Sequence, residues 1–552
     1  MQLLLASHVL PWLSSLWSPQ SQAQLQPTAC DSLSLPSIPG IKILSLTSHE
    51  VTHYHPPSTP DTDSIPLINT TSTTTPPDLS FCNVTIHLTH SPSDHDTVYI
   101  SLWLPPASAW NGRFQATGGG GLAAGYFPGP QVSALVEGYA TGATDGGLTL
   151  NNTIEPQTGS WALRPNGTLN TALLTNYAHR SIHDLAVIGK TLTAQFYGRP
   201  ANHSYFKGCS TGGRQGYFAA ALYPNDFDGI VAGAPAIHLP HLFSELFWPP
   251  LLMTHSVVPR GCVLEAFRKK LVEVCDPLDG AVDGLISGYW PKKCVQGFQA
   301  GGLVGSVVEC AEGNRTEKVV VTDAHAQLVQ RILDGPRLGD GRKLWHAMAP
   351  GASFKGTAGT AVVNGSVVVQ PFFPVIGWAK NFVFQDPAYD VMGMGFEDFD
   401  EAALVSIEKF QGLLGSEQHY LGEFRDAGGK MLSWHGLADE LIPPLGTIGY
   451  REGVQEDFGG PEAADQFYRL FLAPGVGHCG GGDGPAPVDA LAALVRWVEE
   501  GVPPETLAAE GVDGKGEKVT RALCPYPAQL VYDGHGDVKK AGSFRCEVLT
   551  DE

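Results

Sequence analysis

The stretch Gly208-Cys209-Ser210-Thr211-Gly212 decides the fold class of this chain. It fits the GxSxG pattern, in which a serine sits on a sharp turn between a strand and a helix. The neighbouring segments suit that context, because SYFKG at 204–208 is typical of a short strand and GRQGYFAAALY at 213–223 of a helix. The pattern therefore predicts an exposed serine nucleophile at position 210.

Strand and helix patterns alternate on both sides of this turn. Before it lie the candidate strands CNVTIHLTH and TVYISLWLP, then RFQATGGGG and YATGATDGG, and a helical pattern at 172–196. After it come the buried strands GIVAGAPA, KMLSWHG and FYRLFLAPG. This order predicts an α/β-hydrolase fold, with a doubly wound and mostly parallel sheet.

The alternation is interrupted between residues 240 and 425. This segment holds four cysteines, many glycines and several aromatic residues, which suits a lid packed over the ends of the sheet. The aromatic residues either line a pocket or form the lid's own core, and their positions in the sequence leave both interpretations open. We expect a catalytic domain in two parts, residues 24–239 and 426–552, with a lid domain inserted at 240–425.

A serine hydroxyl needs a histidine base and an orienting carboxylate, and the chain offers both in the order that such hydrolases use. Asp439 follows the strand KMLSWHG, and His478 follows the strand FYRLFLA. Both residues therefore fall at the carboxyl ends of strands, where a doubly wound sheet binds its ligands. We predict Ser210, Asp439 and His478 as the catalytic triad, and we interpret His435 as a hydrogen-bonded core residue.

The predicted nucleophile and base each have a cysteine as a direct neighbour, Cys209 and Cys479. A disulfide between these two residues would hold the two catalytic loops together. The chain contains ten cysteines, an even number, and none of them forms the CxxC pair that is common in zinc sites. We therefore interpret the cysteines as disulfide-forming.

Hydrolysis of an ester develops a negative oxygen, which two preorganised N–H groups must stabilise. The backbone N–H of Thr211 is the first predicted donor. The second is expected from the glycine run 118–121, which follows an early strand as the oxyanion loops of lipases do. Gly119 and Gly120 are the candidates within that run, and the alternative interpretation is a plain tight turn.

The segment CDPLDGAVDGLI at 275–286 suggests a bound cation. Its three carboxylates, from Asp276, Asp279 and Asp283, have no basic neighbour in the sequence, and calcium prefers oxygen ligands of this kind. The backbone carbonyls of Ala281 and Leu285 could complete the coordination shell. The alternative is a solvated acidic turn. We expect structural calcium in the lid and no organic cofactor.

The overall charge and the N-terminus indicate where the protein works. A formal net charge of −21 repels nucleic acid and anionic membranes, so neither is expected as a partner. Residues 1–23 combine an apolar run with a small-residue cleavage site, which is typical of a secretion signal, although a disordered N-terminus is the alternative. After this segment, no apolar run is long enough to span a bilayer. Seven glycosylation sequons also suit a secreted protein; they lie at Asn69, Asn83, Asn151, Asn166, Asn202, Asn314 and Asn364.

Nearly the whole chain resembles the tannase and feruloyl esterase family. The motifs that carry the resemblance are FCNVTI, WNGRFQATGGGG, KGCSTGGRQG, YPNDFDGIVAGAPA, CDPLDGAVDG, HGLADELIPP, GHCGG, LCPYPAQLVYDGHG and SFRC. The resemblance implies an α/β-hydrolase with a large lid, the triad and calcium site named above, and a disulfide from Cys209 to Cys479. It also implies the pairs Cys275–Cys294, Cys524–Cys546 and Cys30–Cys82, which leaves Cys262 to pair with Cys310. That last pair departs from the family, in which a cysteine further along the lid is used.

The resemblance also implies the substrate class. We expect a secreted serine esterase that hydrolyses hydroxycinnamoyl, feruloyl-type esters of plant cell-wall polysaccharides through an acyl-enzyme. The first alternative is a tannase that hydrolyses galloyl esters, whose three ring hydroxyls need more hydrogen-bonding partners. The second is an inactive protein of the same fold that binds phenolic compounds. The sequence leaves the oligomeric state open.

Overall fold

The structure is a computed structural model and describes residues 26–56, 78–90, 96–148, 155–288, 294, 297–312, 315–513 and 516–549. The predicted secretion signal, residues 1–23, lies outside the described residues. The same holds for most of the Thr-rich segment at 56–79 and for the sequons at Asn69, Asn151 and Asn314.

The strands of the described residues are numbered in chain order. They are β1 (Lys42–Tyr54), β2 (Leu79–Thr89), β3 (Val98–Leu104), β4 (Arg113–Thr117), β5 (Ala140–Thr144), β6 (His203–Cys209), β7 (Gly229–Gly233), β8 (Val307–Glu312), β9 (Arg315–Val320), β10 (Thr360–Val363), β11 (Ser366–Val369), β12 (Lys430–Gly436), β13 (Tyr468–Ala473), β14 (Ala486–Pro487), β15 (Leu507–Val512), β16 (Lys518–Leu523), β17 (Gln529–Tyr532) and β18 (Phe544–Glu547).

The α-helices of the described residues are Gly129–Val136, Thr171–Thr175, Ser181–Tyr197, Thr211–Leu222, Leu239–Thr254, Gly261–Cys275, Asp323–Asp334, Phe373–Trp378, Phe396–Leu414, Gly422–Asp426, Pro444–Phe458, Pro461–Ala464 and Ala490–Glu500. Two π-helical turns add to them, Asn176–Arg180 and Ala379–Val383. Among these described helices, none combines the length and the apolar character that crossing a membrane requires.

The central sheet contains nine strands in the described residues, in the order β1-β2-β3-β5-β4-β6-β7-β12-β13. The strands from β5 to β13 pair in parallel, whereas β1, β2 and β3 add an antiparallel edge. The fold is therefore an α/β fold with a large, mostly parallel sheet, as the strand and helix patterns predict.

Successive residues of the inner strands enter two different hydrophobic cores. Phe206, Ile230 and Met431 belong to the core on one face of the sheet, whereas the next or preceding residues, such as Tyr205 and Val231, belong to the core on the other face. This alternation follows from the two-residue period of a β-strand. Because both faces are covered, the strands read as continuous apolar runs in the sequence.

Parallel pairing brings the catalytic loops to one edge of the sheet. Cys209 at the end of β6 lies opposite Gly233 at the end of β7, and Gly233 in turn lies opposite Trp434 near the end of β12. Chain segments that follow these strands, and β13 beside them, emerge on the same side. Ser210, Asp439 and His478 lie in these segments.

The predicted strands and helices around the nucleophile are present with shifts of a few residues at their ends. The single helix predicted at 172–196 is instead two helices joined by the π-helical turn Asn176–Arg180. Strand β1, the long edge strand of the sheet, was not predicted. The segment between β7 and β12 carries helices and two β-hairpins, β8–β9 and β10–β11, and most of its buried residues form a third hydrophobic core.

Candidate active site

Ser210 lies between β6 and the helix Thr211–Leu222, in a backbone conformation that few non-glycine residues adopt. Its φ is 61° and its ψ is −123°. The turn is tight: a Cβ atom on Gly208 would lie 2.5 Å from the backbone of Gly212, and one on Gly212 would lie 2.8 Å from the carbonyl oxygen of Gly119. Both glycines of the GxSxG pattern are therefore required by close backbone approach.

The structure brings His478 and Asp439 together, and His478 shares a cavity with Ser210. The Nδ1 atom of His478 lies 2.9 Å from Oδ2 of Asp439, which leaves Nε2 as the ring nitrogen available to a substrate or nucleophile. Ser210 and His478 both line the same cavity. Burial lowers the pKa of His478, but the charge of Asp439, its hydrogen bond to the ring and the charge of Glu440 together outweigh burial, so the net shift of the pKa is upward.

Asp439 is buried and accepts hydrogen bonds at both oxygens. Its Oδ1 accepts the backbone N–H groups of Leu441 and Ile442, each at 2.9 Å. Its Oδ2 contacts His478 and also His435 Nε2, at 3.1 Å. Burial raises the pKa of the carboxyl, but His478 and the bond from His435 outweigh it and hold the pKa well below its usual range. Asp439 is thus a fixed negative charge behind the histidine.

His435 is a buried partner of the catalytic carboxylate and does not line the cavity. Its other ring nitrogen, Nδ1, lies 2.9 Å from the hydroxyl of Thr447. The interpretation of this residue as part of the hydrogen-bonded core agrees with these contacts. Its role towards Asp439 was not foreseen, although the four-residue spacing from Asp439 was the available signal.

Glu440 contacts the loop of the predicted base, a contact that sequence reasoning missed. Its Oε2 accepts the backbone N–H of His478 at 3.0 Å. A Cβ atom on Gly356 would lie 2.3 Å from Cγ of Glu440, so the side chain is held between the inserted segment and the loop of the base. Burial, and after it the charge of Asp439, raise the pKa of Glu440. Its position directly after Asp439 was the only sequence signal.

A disulfide joins Cys209 to Cys479, with 5.9 Å between their Cα atoms. The loops that carry Ser210 and His478 are thereby linked next to the two catalytic residues. The three other pairs implied by the family resemblance are also present, at Cys30–Cys82, Cys275–Cys294 and Cys524–Cys546, and so is Cys262–Cys310, the pair that was left by elimination. The disulfide Cys262–Cys310 is therefore present in this chain, although it differs from the pairing expected for the family.

The predicted oxyanion donors need a correction. The N–H of Gly119 donates to Oε1 of Gln215 at 3.0 Å, and that of Gly120 donates to the carbonyl of Ala123 at 3.2 Å. Both N–H groups already donate a hydrogen bond to another part of the protein, so neither is available to a substrate oxygen. The next residue of the run, Gly121, lines the cavity instead, and its N–H has no hydrogen bond to any described residue.

Thr211 and Gly121 form the pair of backbone donors that the geometry supports. Thr211 is the first residue of its helix, where a backbone N–H has no intrahelical acceptor, and it lines the cavity. The carbonyl of Gly121 accepts the hydroxyls of Thr211 and Tyr177, each at 2.6 Å. These two bonds tie the glycine loop to the start of the nucleophile helix.

Two glutamine side chains, which sequence reasoning also missed, brace the glycine loop. Gln215 accepts from Gly119 and donates through Nε2 to the carbonyl of Ala124 at 3.0 Å. Gln157 accepts from the N–H of Leu122 at 2.9 Å and donates to the carbonyl of Gly120 at 3.0 Å. The loop is therefore preorganised by the protein before substrate binds.

The cavity beside Ser210 is mainly apolar. Apart from backbone groups, its polar side chains are those of Ser210, Thr211 and His478. Its apolar lining comes from Leu122, Ala236, Leu239, Leu242, Phe243, Leu246, Phe372, Pro374, Val375, Trp378, Leu441 and Ile442. Most of these residues belong to the inserted segment, so that segment supplies most of the wall facing the nucleophile.

The acidic loop at 276–285 has the oxygen ligands that calcium prefers, but its carboxylates already have partners. Asp276 accepts the N–H groups of Asp283 and Gly284, and Asp279 accepts that of Ser287. Asp283 pairs with Arg521, a basic residue that is distant in the sequence but close in the fold. Burial raises the pKa of Asp283 to about 6, against the effect of Arg521.

These contacts bear on whether the loop fits calcium. The donors are all oxygens, and neighbouring carboxylates help to raise the pKa of Asp279 and Asp283, a repulsion that a divalent cation would relieve. Across the described ranges, however, no group of three or more His, Cys, Asp or Glu side chains is arranged to hold a metal ion. The loop fits calcium by its chemistry, and its carboxylates would have to rearrange to bind one.

Comparison with known proteins is consistent with this site. A family model described as "Tannase and feruloyl esterase" matches residues 82–547. A probable feruloyl esterase from Arthroderma benhamiae is 42% identical over 550 residues, which cover 98% of this chain and 97% of that protein. Sequence similarity therefore extends over nearly the whole chain.

Solved structures are also similar. The tannin acyl hydrolase from Aspergillus niger superposes with a TM-score of 0.80 at 26% identity, and the match covers 95% of this chain and 93% of that one. Feruloyl esterase B from Aspergillus oryzae gives a TM-score of 0.72 at 26% identity, covering 93% and 98%. The likeness thus includes the inserted segment as well as the sheet.

Proposed function

Because the chain belongs to the tannase and feruloyl esterase family of carboxylic ester hydrolases, we propose that it cleaves hydroxycinnamoyl, feruloyl-type esters of plant cell-wall polysaccharides. The observation that carries the proposal is the arrangement around Ser210. A strained serine, a histidine bonded to a buried aspartate and two backbone donors meet at an apolar cavity that suits an aromatic acid.

In the proposed mechanism, Ser210 attacks the ester carbonyl while Nε2 of His478 takes its proton. Asp439 holds the imidazole by Nδ1 and stabilises the imidazolium that forms. The N–H groups of Thr211 and Gly121 stabilise the negative oxygen of the tetrahedral intermediate. His478 then gives its proton to the leaving alcohol, and a water molecule hydrolyses the acyl-enzyme by the same steps.

The proposed lid, residues 240–425, supplies the binding site for the acid. Phe243 and Trp378 contribute aromatic rings to the wall of the cavity that Ser210 lines, and Leu242 and Leu246 contribute aliphatic side chains. A hydroxycinnamoyl group has a planar ring and a conjugated arm, both of which gain free energy by leaving water for such a cavity.

A galloyl ester is the second candidate substrate, because the tannin acyl hydrolase gives a higher TM-score than feruloyl esterase B does. The chemistry of the cavity argues against it. Gallate has three ring hydroxyls, and each would lose its bonds to water in a cavity whose only polar side chains lie at the reacting centre. Ferulate, with one hydroxyl and one methoxy group, loses fewer.

Secretion and calcium binding belong to the same proposal. Five disulfides support an oxidising compartment, and the sequons at Asn166, Asn202 and Asn364 lie on exposed residues.

For calcium, we expect the thermal midpoint of the protein to fall when EDTA is added and to recover with excess calcium. An unchanged midpoint, together with no heat of binding in calorimetry with CaCl₂, would remove calcium from the proposal.

The test of the proposed function compares three esters. The wild type and Ser210→Ala are assayed on methyl ferulate, methyl gallate and p-nitrophenyl acetate. We expect the wild type to prefer methyl ferulate and the variant to lose hydrolysis of all three. A preference for methyl gallate would show that the acid of the natural ester is gallate and not ferulate. No hydrolysis of any ester by the wild type would instead favour an inactive phenolic-binding protein.

A further inference from the structure

An open groove adjoins the catalytic cavity. Phe372 and Leu441 line both spaces, so the groove and the cavity are neighbours that share part of a wall. Its remaining lining comes from Lys355, Gly356, Val369, Gln370, Pro371, Phe373 and Ile376. All of these lie in the inserted segment, and Val369 belongs to the β10–β11 hairpin. The groove is more open to solvent than the cavity is.

The groove combines an exposed aromatic ring with polar side chains. Phe373 is 52% exposed, which is unusual for a residue of its size and apolar character. Lys355 and Gln370 are exposed beside it, and Lys355 makes no ion pair with any described residue. A sugar ring matches such a surface, because its C–H face stacks on an aromatic ring while its hydroxyls bond to charged and amide groups.

The two halves of the ester differ in the space that they need. The aromatic acid is small and apolar and can be enclosed by the cavity at Ser210. The polysaccharide is long and hydrated, so it must leave the catalytic centre through a side that is open to water. The groove adjoins the cavity and is open to solvent, so it offers such a side. The acid therefore belongs in the cavity, and the alcohol half belongs in the groove.

We propose that the groove formed by Lys355, Gln370, Phe372, Phe373 and Ile376 is a saccharide subsite that binds the sugar residue carrying the acyl group; this proposal rests on the proposed function. Lys355 also lines a second, polar cavity with Arg268, Ser353 and Asp483. The subsite thus continues into a space that suits a further sugar residue, and oligosaccharide esters should be better substrates than methyl esters.

The experiment compares methyl ferulate with a feruloylated arabino-oligosaccharide. The measured quantity is kcat/KM for the oligosaccharide ester divided by kcat/KM for the methyl ester. We expect Phe373→Ala to lower this ratio about tenfold, mainly through a higher KM for the oligosaccharide ester. Phe373→Leu keeps most of the volume but loses the aromatic face, so we expect it to lower the ratio as well.

Tyr420→Ala is the matched control. Tyr420 is an aromatic residue that is 73% exposed and lines neither the cavity nor the groove, so its removal should leave the ratio at the wild-type value. A wild-type ratio in Phe373→Ala, or an equal loss on both esters, overturns the saccharide subsite while the wild type still cleaves methyl ferulate. If the wild type cleaves neither ester, the proposed function itself fails.

Discussion

Removal of the Cys209–Cys479 disulfide should impair catalysis more than it impairs folding. The bridge lies directly beside Ser210 and His478, and its two cysteines are buried together with Ala234. In the double variant Cys209→Ala, Cys479→Ala, no covalent link joins the loop of Ser210 to the loop of His478, and only noncovalent contacts such as that of Glu440 with the His478 N–H remain. The serine and histidine should then lose their fixed separation.

The magnitude follows from the chain that the bridge closes. The two cysteines are 270 residues apart, and the chain-entropy treatment assigns such a loop about 5.6 kcal/mol of stability at 25 °C. The bridge Cys262–Cys310 closes 48 residues, for which the same treatment assigns about 4.1 kcal/mol. The two disulfides therefore contribute similar stability, whereas only the first lies at the catalytic centre. Misplacement of a reacting group by about 1 Å can cost about 100-fold in rate.

The assay measures kcat on methyl ferulate for both double-alanine variants, at a temperature where circular dichroism shows each to be folded. We expect about a 100-fold loss of kcat for the Cys209–Cys479 variant. The Cys262–Cys310 variant should lose thermal stability but keep kcat, since neither of these cysteines is next to Ser210, Asp439 or His478 in the sequence. If the two folded variants have kcat values within a factor of two of each other, the bridge has no part in positioning the catalytic residues.

Four further outcomes are expected at the catalytic edge. Asp439→Asn should lower kcat about 10⁴-fold on methyl ferulate by removing the charge behind the histidine, and a loss below tenfold would contradict that role. Gly121→Ala would bring a Cβ atom to 2.2 Å from Oε1 of Gln157, so it should displace an oxyanion donor and lower kcat by about 10²-fold to 10³-fold; an unchanged kcat would remove Gly121 from the oxyanion hole. The raised pKa of His478 means that the neutral base forms only at higher pH, so kcat/KM should rise with pH through a midpoint above about 6.5. Glu440→Gln keeps an acceptor for the His478 N–H but removes a negative charge, so it should lower that midpoint, and an unchanged midpoint would exclude an electrostatic role for Glu440.

The central strands, and the position of Ser210, Asp439 and His478 at one edge of the sheet, could be predicted because their signals are local. A strand that is buried on both faces reads as a short apolar run, and a residue after such a strand falls at the ligand-binding edge. Strand β1 gives no such signal. Its register shifts between Ile43 and Ser45 and again between Val51 and Tyr54, and these irregularities break the two-residue alternation on which strand prediction depends.

The choice among the oxyanion glycines could not be made from the sequence, because four consecutive glycines are chemically identical there. Which N–H is available depends on Gln215, which lies almost a hundred residues later in the chain. Its side chain accepts the N–H of Gly119, so that group is no longer free for a substrate. The same limit applies to the acidic loop. Asp283 has its basic partner in Arg521, 238 residues away, and no pattern near position 283 indicates it.

The topology explains why the inserted segment supplies most of the cavity wall beside Ser210. The chain leaves the sheet at the carboxyl end of β7, the edge at which Ser210 lies, and returns as the neighbouring parallel strand β12. The first helix of the insertion, Leu239–Thr254, must therefore begin above the catalytic edge, and four of its residues line the cavity. A parallel pair needs a crossover between its strands in any case. An insertion at this point can thus change the substrate while β6, β12 and β13 keep Ser210, Asp439 and His478 in place.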